Sequence, residues 1–197
     1  MIAIVYYGVG NIRSIHKAVE YVGGKAEVTS DFETIESADG IILPGVGAFQ
    51  PAMKELEPFR DLIVRAKVPV MGICLGMQLF ATESEEGGLH RGLNVIPGRV
   101  VRFPKEVGKI PHMGWNQIEV VKDHPLLDGL SGSYVYFVHS YHFVTQDEYV
   151  LTRTDYGIEF TSAVIKDNFV GFQFHPEKSG KVGLEILRRF VEMCEGF

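Results

Sequence analysis

Over its first 86 residues the chain alternates between two kinds of segment. Short apolar runs at 2–7 (IAIVYY), 26–30 (AEVTS), 40–45 (GIILPG) and 68–74 (VPVMGIC) read as strands. Between them lie stretches with helical spacing. At 11–24, Ile12, Ile15, Val19 and Val22 recur at helical intervals before a Gly23–Gly24 stop. Residues 31–40 form a short helix or turn, 48–67 a helix bent near Pro58, and 75–86 another helix. Strand–helix alternation with short links predicts an α/β fold, a mostly parallel central sheet with helices on both faces. Such sheets gather their sites at the carboxyl ends of the strands. The glycine-rich stretches YGVGN, PGVG and GICLG all fall there.

The second half reads differently. GRVVRF, WNQIEVV, YVYFVHSYHF, YVLTRT, FTSAVI and FVGFQF are strands with turns between them, an antiparallel β extension, and a last helix runs from about Ser179 to Glu195. There is no repeat and no long linker, so 1–197 reads as one domain. Apolar residues at 46% and charged residues at 22% suit an ordinary buried core. A net charge of −6 with no basic block argues against nucleic acid and anionic membrane surfaces. No apolar run reaches the ~18–20 residues that span a bilayer. The N-terminus has neither the basic region nor the cleavage site of a signal peptide, so a cytoplasmic protein is expected. Two cysteines make no disulfide framework, and Cys194 shares a helical stripe with Leu187, Phe190 and Val191, as a core residue would.

Cys74 is the exception. Gly72-Ile73-Cys74-Leu75-Gly76 fits G-x-nucleophile-x-G, a strained strand-to-helix turn whose glycines let neighbouring backbone pass close. That turn projects the sulfur above the sheet edge. It sets the sulfur near a helix N-terminus, which favours the thiolate. It also aims the Leu75 N–H at a forming oxyanion. A cysteine nucleophile needs a base, and His175 ends an apolar strand in VGFQFHPEKSG. Pro176 biases His175 to an extended conformation, so His175 and Glu177 can point the same way and converge, a Cys–His–Glu triad. In Pro44–Gly47 two glycines flank Val46, and an N–H there, that of Gly47, is the candidate second oxyanion donor.

Other chemistries fit less well. GVGN after the first strand places Gly8 and Gly10 correctly for G-x-G-x-x-G, but Arg13 occupies the third glycine position. A metal site at His139 and His142 is disfavoured, because residues three apart on one strand face opposite sides. No cofactor is expected. A cysteine hydrolase with the same elbow and a non-catalytic binding subunit remain as alternatives.

The order of oxyanion strand, G-x-C-x-G and H-P-E resembles the class I, triad-type glutamine amidotransferases over nearly the whole chain. YGVGN, LPGVGAF, GICLGMQLF, IPHMGWN, YFVHSYHF and GFQFHPEKSG are similar, more finely, to the branch that forms the glutaminase subunits of imidazole glycerol phosphate synthase. That resemblance implies a flavodoxin-like fold, and attack of Cys74 on the glutamine amide to give a thioester and ammonia. It implies proton transfer by His175, held by Glu177. It implies a heterodimer in which ammonia passes to a (β/α)₈-barrel cyclase subunit in histidine biosynthesis. The glutaminase of another class I amidotransferase is the alternative. The same resemblance implies that Gln78 and Glu86 contact the amino-acid end of glutamine, and that the backbone of His139, Ser140 and Tyr141 holds its carboxylate. Asn11, Met113, Trp115 and Lys178 resemble contacts with the synthase subunit. Trp115, the only tryptophan, lies in a turn-prone HMGW and suits an interface anchor. The paired glycines at 45 and 47 suggest a peptide that the partner turns inward to complete the oxyanion hole.

Overall fold

Strand β1 (Ile2–Val5) shows why both faces of the sheet are covered. Its Ile2 and Ile4 pack into one core, and Ala3 and Val5 into the other. The computed structural model describes residues 1–196. After β1 come α1 (Ile12–Tyr21), β2 (Ala26–Thr29), α2 (Phe32–Glu36), β3 (Gly40–Leu43), α3 (Phe49–Leu56), α4 (Arg60–Val64), β4 (Val70–Ile73) and α5 (Leu75–Gln78). Then follow β5 (Glu83–Ser84), β6 (His90–Arg91), β7 (Arg99–Arg102), β8 (His112–Gln117), β9 (Glu119–Val120), β10 (Tyr134–His139), β11 (Tyr141–Val144), β12 (Val150–Asp155), β13 (Glu159–Lys166), β14 (Phe169–Phe172) and α6 (Gly180–Glu195).

The core block β2-β1-β3-β4-β14 is parallel throughout. From β14 the sheet continues through β13, β11 and β7 as the antiparallel extension, reaching β5 and β6 at its edge. Helices α1 and α6 cover one face, through Ile15, Val19, Ile186, Leu187 and Phe190. Helices α2, α3 and α4 cover the other, through Ile35, Phe49, Leu56 and Ile63. Cys194 is buried on α6, filling space beside Gly40. No helix is long and apolar enough to cross a membrane among the described residues.

Three elements depart from the sequence reading. The helix expected over 75–86 ends at Gln78, because the next carbonyls find partners elsewhere. Leu79 O accepts from Leu93 N–H, Phe80 O from the N–H groups of Val95 and Ile96, and Ala81 O from Asn94 N–H. The run 134–143 is not one strand. It divides at Ser140 into β10, which pairs with β8 in a separate two-stranded sheet, and β11, which belongs to the main sheet. HMGW is not a turn but the body of β8, opposite Tyr136 to His139. The long helix 48–67 does bend where expected, at a 3₁₀ turn over Glu57–Phe59 that contains Pro58.

Close packing explains the glycines of the elbow. A Cβ on Gly76 would lie 1.9 Å from the Leu43 carbonyl oxygen, and one on Gly72 2.8 Å from the Gly76 backbone. Both obstacles are backbone, so neither gives way cheaply. Gly76→Ala is expected to cost about 3–5 kcal/mol, read as a lower denaturant midpoint at unchanged slope.

Candidate active site

The site begins with the pairing of β4 and β14. They are parallel neighbours with Ile73 opposite Phe172, and the Cys74 N–H donates to the Phe172 carbonyl at 2.8 Å. The residues beyond both strand ends therefore meet at one rim of the sheet. Cys74 sits there with φ 53 and ψ −111, in the left-handed region that a non-glycine residue rarely occupies. Its sulfur accepts from Gln173 Nε2 at 3.6 Å and lies 3.9 Å from the Val138 carbonyl oxygen.

His175 is buried at the same rim. Its Nδ1 lies 2.8 Å from Glu177 Oε1, and both side chains are almost fully enclosed. A carboxylate only accepts, so Nδ1 carries the hydrogen. The other ring nitrogen, Nε2, is buried with no hydrogen-bond partner. Burial disfavours the charged ring, but the Cys74 sulfur and the Glu177 carboxylate outweigh it and raise the imidazole to about 9. Cys74 and His175 line one cavity of about 400 Å³, in the small-ligand range, together with Val46, Gly47, Gln78 and Glu86.

The segment 44–48 forms one wall of this cavity and is held at both ends. The buried Tyr7 hydroxyl donates to the Pro44 carbonyl, and Phe49 N–H at the start of α3 donates to Glu86 Oε2 at 3.0 Å. Burial, with Cys74 adding to it, pushes the Tyr7 phenol well above its ordinary range. Between the anchors, the Leu75 N–H donates to the Gly45 carbonyl at 3.3 Å. One of the two expected oxyanion donors is therefore occupied by a carbonyl. Because the peptide is planar and trans, the Val46 N–H points the opposite way. Gly47 has φ +99 and open space around it.

The remaining sequence-predicted residues fall in two groups. Gln78 lines the cavity, yet its Nε2 donates to the Tyr141 carbonyl at 3.1 Å and to Gln173 Oε1 at 2.9 Å. Glu86 also lines it while capping α3, from a loop rather than the expected helix. His139, Ser140 and Tyr141 form the turn between β10 and β11. Its acceptors are in use: Ser140 O takes Phe103 N–H, and Tyr141 O takes both Gln78 and His139 Nδ1. A carboxylate needs donors, so whatever this turn offers a substrate must come from its N–H groups. His139 and His142 do not face opposite sides, as their spacing on one strand would require. The break at Ser140 turns both rings onto Phe103, at centroid distances of 5.1 and 4.8 Å. Among the described residues no group of three or more His, Cys, Asp or Glu is arranged to hold a metal ion.

Met113 and Trp115 alternate with buried His112 on β8, and both are more than half exposed. Lys178 Nζ stands 6.0 Å from the Tyr136 ring, which meets Trp115 edge-on at 6.2 Å. Asn11 precedes α1, which packs on the turn at 176–178. Sequence reasoning missed Tyr136, whose backbone ties this exposed ribbon to the site. Its carbonyl accepts from His175 N–H, and its N–H donates to Ser179 Oγ. It also missed Gln173 and Tyr7. The signal for Gln173 was a lone amide in an apolar strand, two residues before His175 and so facing the same side.

A glutamine amidotransferase class-I family model matches residues 3–194, and the chain belongs to that family. The imidazole glycerol phosphate synthase subunit HisH of Archaeoglobus fulgidus is 61% identical over 99% of this chain and 100% of its own length. The subunit of the same name from Methanocaldococcus jannaschii is 49% identical over 98% and 100%. A solved glutamine amidotransferase structure, 20% identical, superposes with a TM-score of 0.76 over 99% of this chain and 100% of its own, a likeness of fold.

Proposed function

We propose that the protein is the glutaminase subunit of an imidazole glycerol phosphate synthase, releasing ammonia from L-glutamine for a cyclase subunit in histidine biosynthesis. The observation that carries the chemistry is His175: Nδ1 held by Glu177, and Nε2 buried without a partner in the cavity it shares with Cys74. In this reading the Cys74 proton already rests on His175 Nε2, the ion pair that the raised value of the ring reflects, and the thiolate attacks the glutamine amide carbon. The imidazolium protonates the leaving nitrogen as the C–N bond breaks, giving ammonia and a glutamyl thioester. Water then attacks the thioester, losing a proton to the same nitrogen, and glutamate leaves as the sulfur regains its proton.

The oxyanion of each tetrahedral intermediate needs donors that the resting geometry withholds, since Leu75 N–H faces the Gly45 carbonyl. Turning the 45–46 peptide over between its two anchors frees Leu75 N–H and brings in the Val46 N–H. Val46 is thus the better-placed second donor than Gly47. The partner docks on the exposed face of β8 and β10 around Met113, Trp115 and Lys178, with Asn11 nearby, and Tyr136 links that face to His175. A barrel-shaped cyclase in a heterodimer completes the reading. The test is glutamate release by the subunit alone, with the purified cyclase, and with cyclase plus its ribonucleotide ligand. One donor is worth about 10²–10³ in rate and the turn supplies two, so a rise of at least that order is expected in the last mixture. Equal rates in all three reject the switch, and no glutamate in any of them rejects the glutaminase.

A further inference from the structure

Gln173 is fully buried, and the direction of its amide is fixed by a chain of bonds that ends on the sulfur. The chain starts at the Tyr141 carbonyl, which can only accept. Gln78 must therefore turn its NH₂ toward it, as it does at 3.1 Å. The second N–H of that group reaches Gln173 at 2.9 Å, so the atom it meets is Oε1. The other branch of the Gln173 amide is then Nε2, and it faces Cys74 Sγ at 3.6 Å. A flipped Gln173 would set two NH₂ groups against each other between two buried side chains.

We propose that Gln173 is a positioning residue for the nucleophile: its Nε2–H donates to Cys74 Sγ and favours the thiolate, in a direction imposed by Gln78 and the Tyr141 carbonyl. This rests on the reading of Cys74 as nucleophile. An N–H donor strengthens when its acceptor becomes an anion, whereas a neutral thiol gains little from it. The Val138 carbonyl, 3.9 Å from the sulfur, is the only other polar backbone partner found for it among the described residues, and it offers an anion nothing. The titratable groups around the sulfur are His175 with Glu177 behind it, Tyr7 beyond β1, His139 beside His175, and Glu86 and Tyr141 on the walls of the shared cavity. Of these, His175 must shuttle its proton during the reaction, while Gln173 holds its hydrogen throughout. Gln78 thereby has two attachments, one to the Tyr141 carbonyl and one to Gln173, and it reaches the nucleophile only through the second.

The test is the pH dependence of Cys74 alkylation by iodoacetamide, followed by peptide mass spectrometry so that Cys194 is counted separately. In Gln173→Leu the midpoint should rise by about one pH unit, the size of one lost charge-assisted hydrogen bond. In Gln173→Glu, which sets an acceptor against the sulfur, it should rise further. Glutaminase kcat should fall about tenfold at neutral pH with KM little changed. Melting curves confirm that the variants are folded, and an unchanged midpoint in folded protein overturns the proposal. The wild-type chain gives a measurement free of folding effects: the side-chain amide resonance of Gln173 should titrate at the alkylation midpoint. A resonance flat across that midpoint overturns the proposal too. Cys74→Ala separates the two ideas. If it keeps glutaminase activity, the reading of Cys74 fails; if it is inactive while the Gln173 variants alkylate normally, only the role of Gln173 fails.

Discussion

Cys74→Ala should lower glutamine hydrolysis by about 10⁴-fold or more, and His175→Ala should lower it by a similar factor. The two side chains act as one unit: sulfur without a base is a weak nucleophile, and the base without sulfur has nothing to activate. The double variant should therefore be no worse than either single one. Glu177→Ala should lose less, about 10²–10⁴-fold, because Nδ1 would still carry its hydrogen part of the time and the ring is packed from all sides. All three should stay folded, since each substitution only shortens a side chain, and of the three only Cys74 belongs to a core cluster, where it loses a single sulfur atom. Steady-state glutamate release, with protein concentration set by active-site-independent absorbance, checks each value. Losses that multiply in the double variant would show that the two residues serve separate functions.

Acidification should unfold the protein sharply, with a midpoint at about pH 4–5. Behind Phe103 lie three enclosed histidines, linked in part by a one-way chain. Asn116 Nδ2 donates to His112 Nε2, His112 Nδ1 to His139 Nε2, and His139 Nδ1 to the Tyr141 carbonyl. Burial holds all three neutral, at about 4 for His112, about 3 for His139 and about 4 for His142. In the unfolded chain each takes up a proton near 6.5. The unfolded state thus binds more protons across this interval. Stability is full above about 6.5 and drains away as pH falls toward 4, by on the order of 10 kcal/mol in all, as much as many domains possess. His175 has the opposite sign. Its raised value means a contribution complete below 6.5 and lost as pH climbs through about 9. His142→Phe isolates the acid side, because His142 Nδ1 is buried without a partner and its ring stacks on Phe103. That variant should be no less stable at neutral pH, and its acid midpoint should drop by about half a pH unit by circular dichroism.

The core strands were legible because β1, β3, β4 and β14 are short apolar runs, β3 and β4 with a proline beside them, a pattern that local chemistry alone dictates. That Cys74, His175 and Glu177 would lie at one rim was legible for a related reason, since they stand where apolar runs stop. What escaped was decided by distant partners. Residues 79–86 have helical spacing, but the carbonyls of Leu79, Phe80 and Ala81 are claimed by the loop at 93–96. Nothing in YVYFVHSYHF marks Ser140 as the point where the chain changes sheets, because β8 supplies the reason. Gln173 gave no hint of its sulfur contact, since the orientation of its amide depends on Gln78 and Tyr141. The state of the 45–46 peptide was equally hidden: two glycines announce freedom to rotate, not which way the bond rests.

One consequence of the β4–β14 pairing concerns synthesis. These strands lie side by side in the sheet, yet everything from Cys74 to Asn168 is translated between them. In the proposed reaction the imidazole arms the thiol, and a ribosome that has just delivered Cys74 has not yet made His175. On that reading the nascent chain stays chemically idle until its last strand slots in beside the fourth, and a product truncated before that point should release no glutamate.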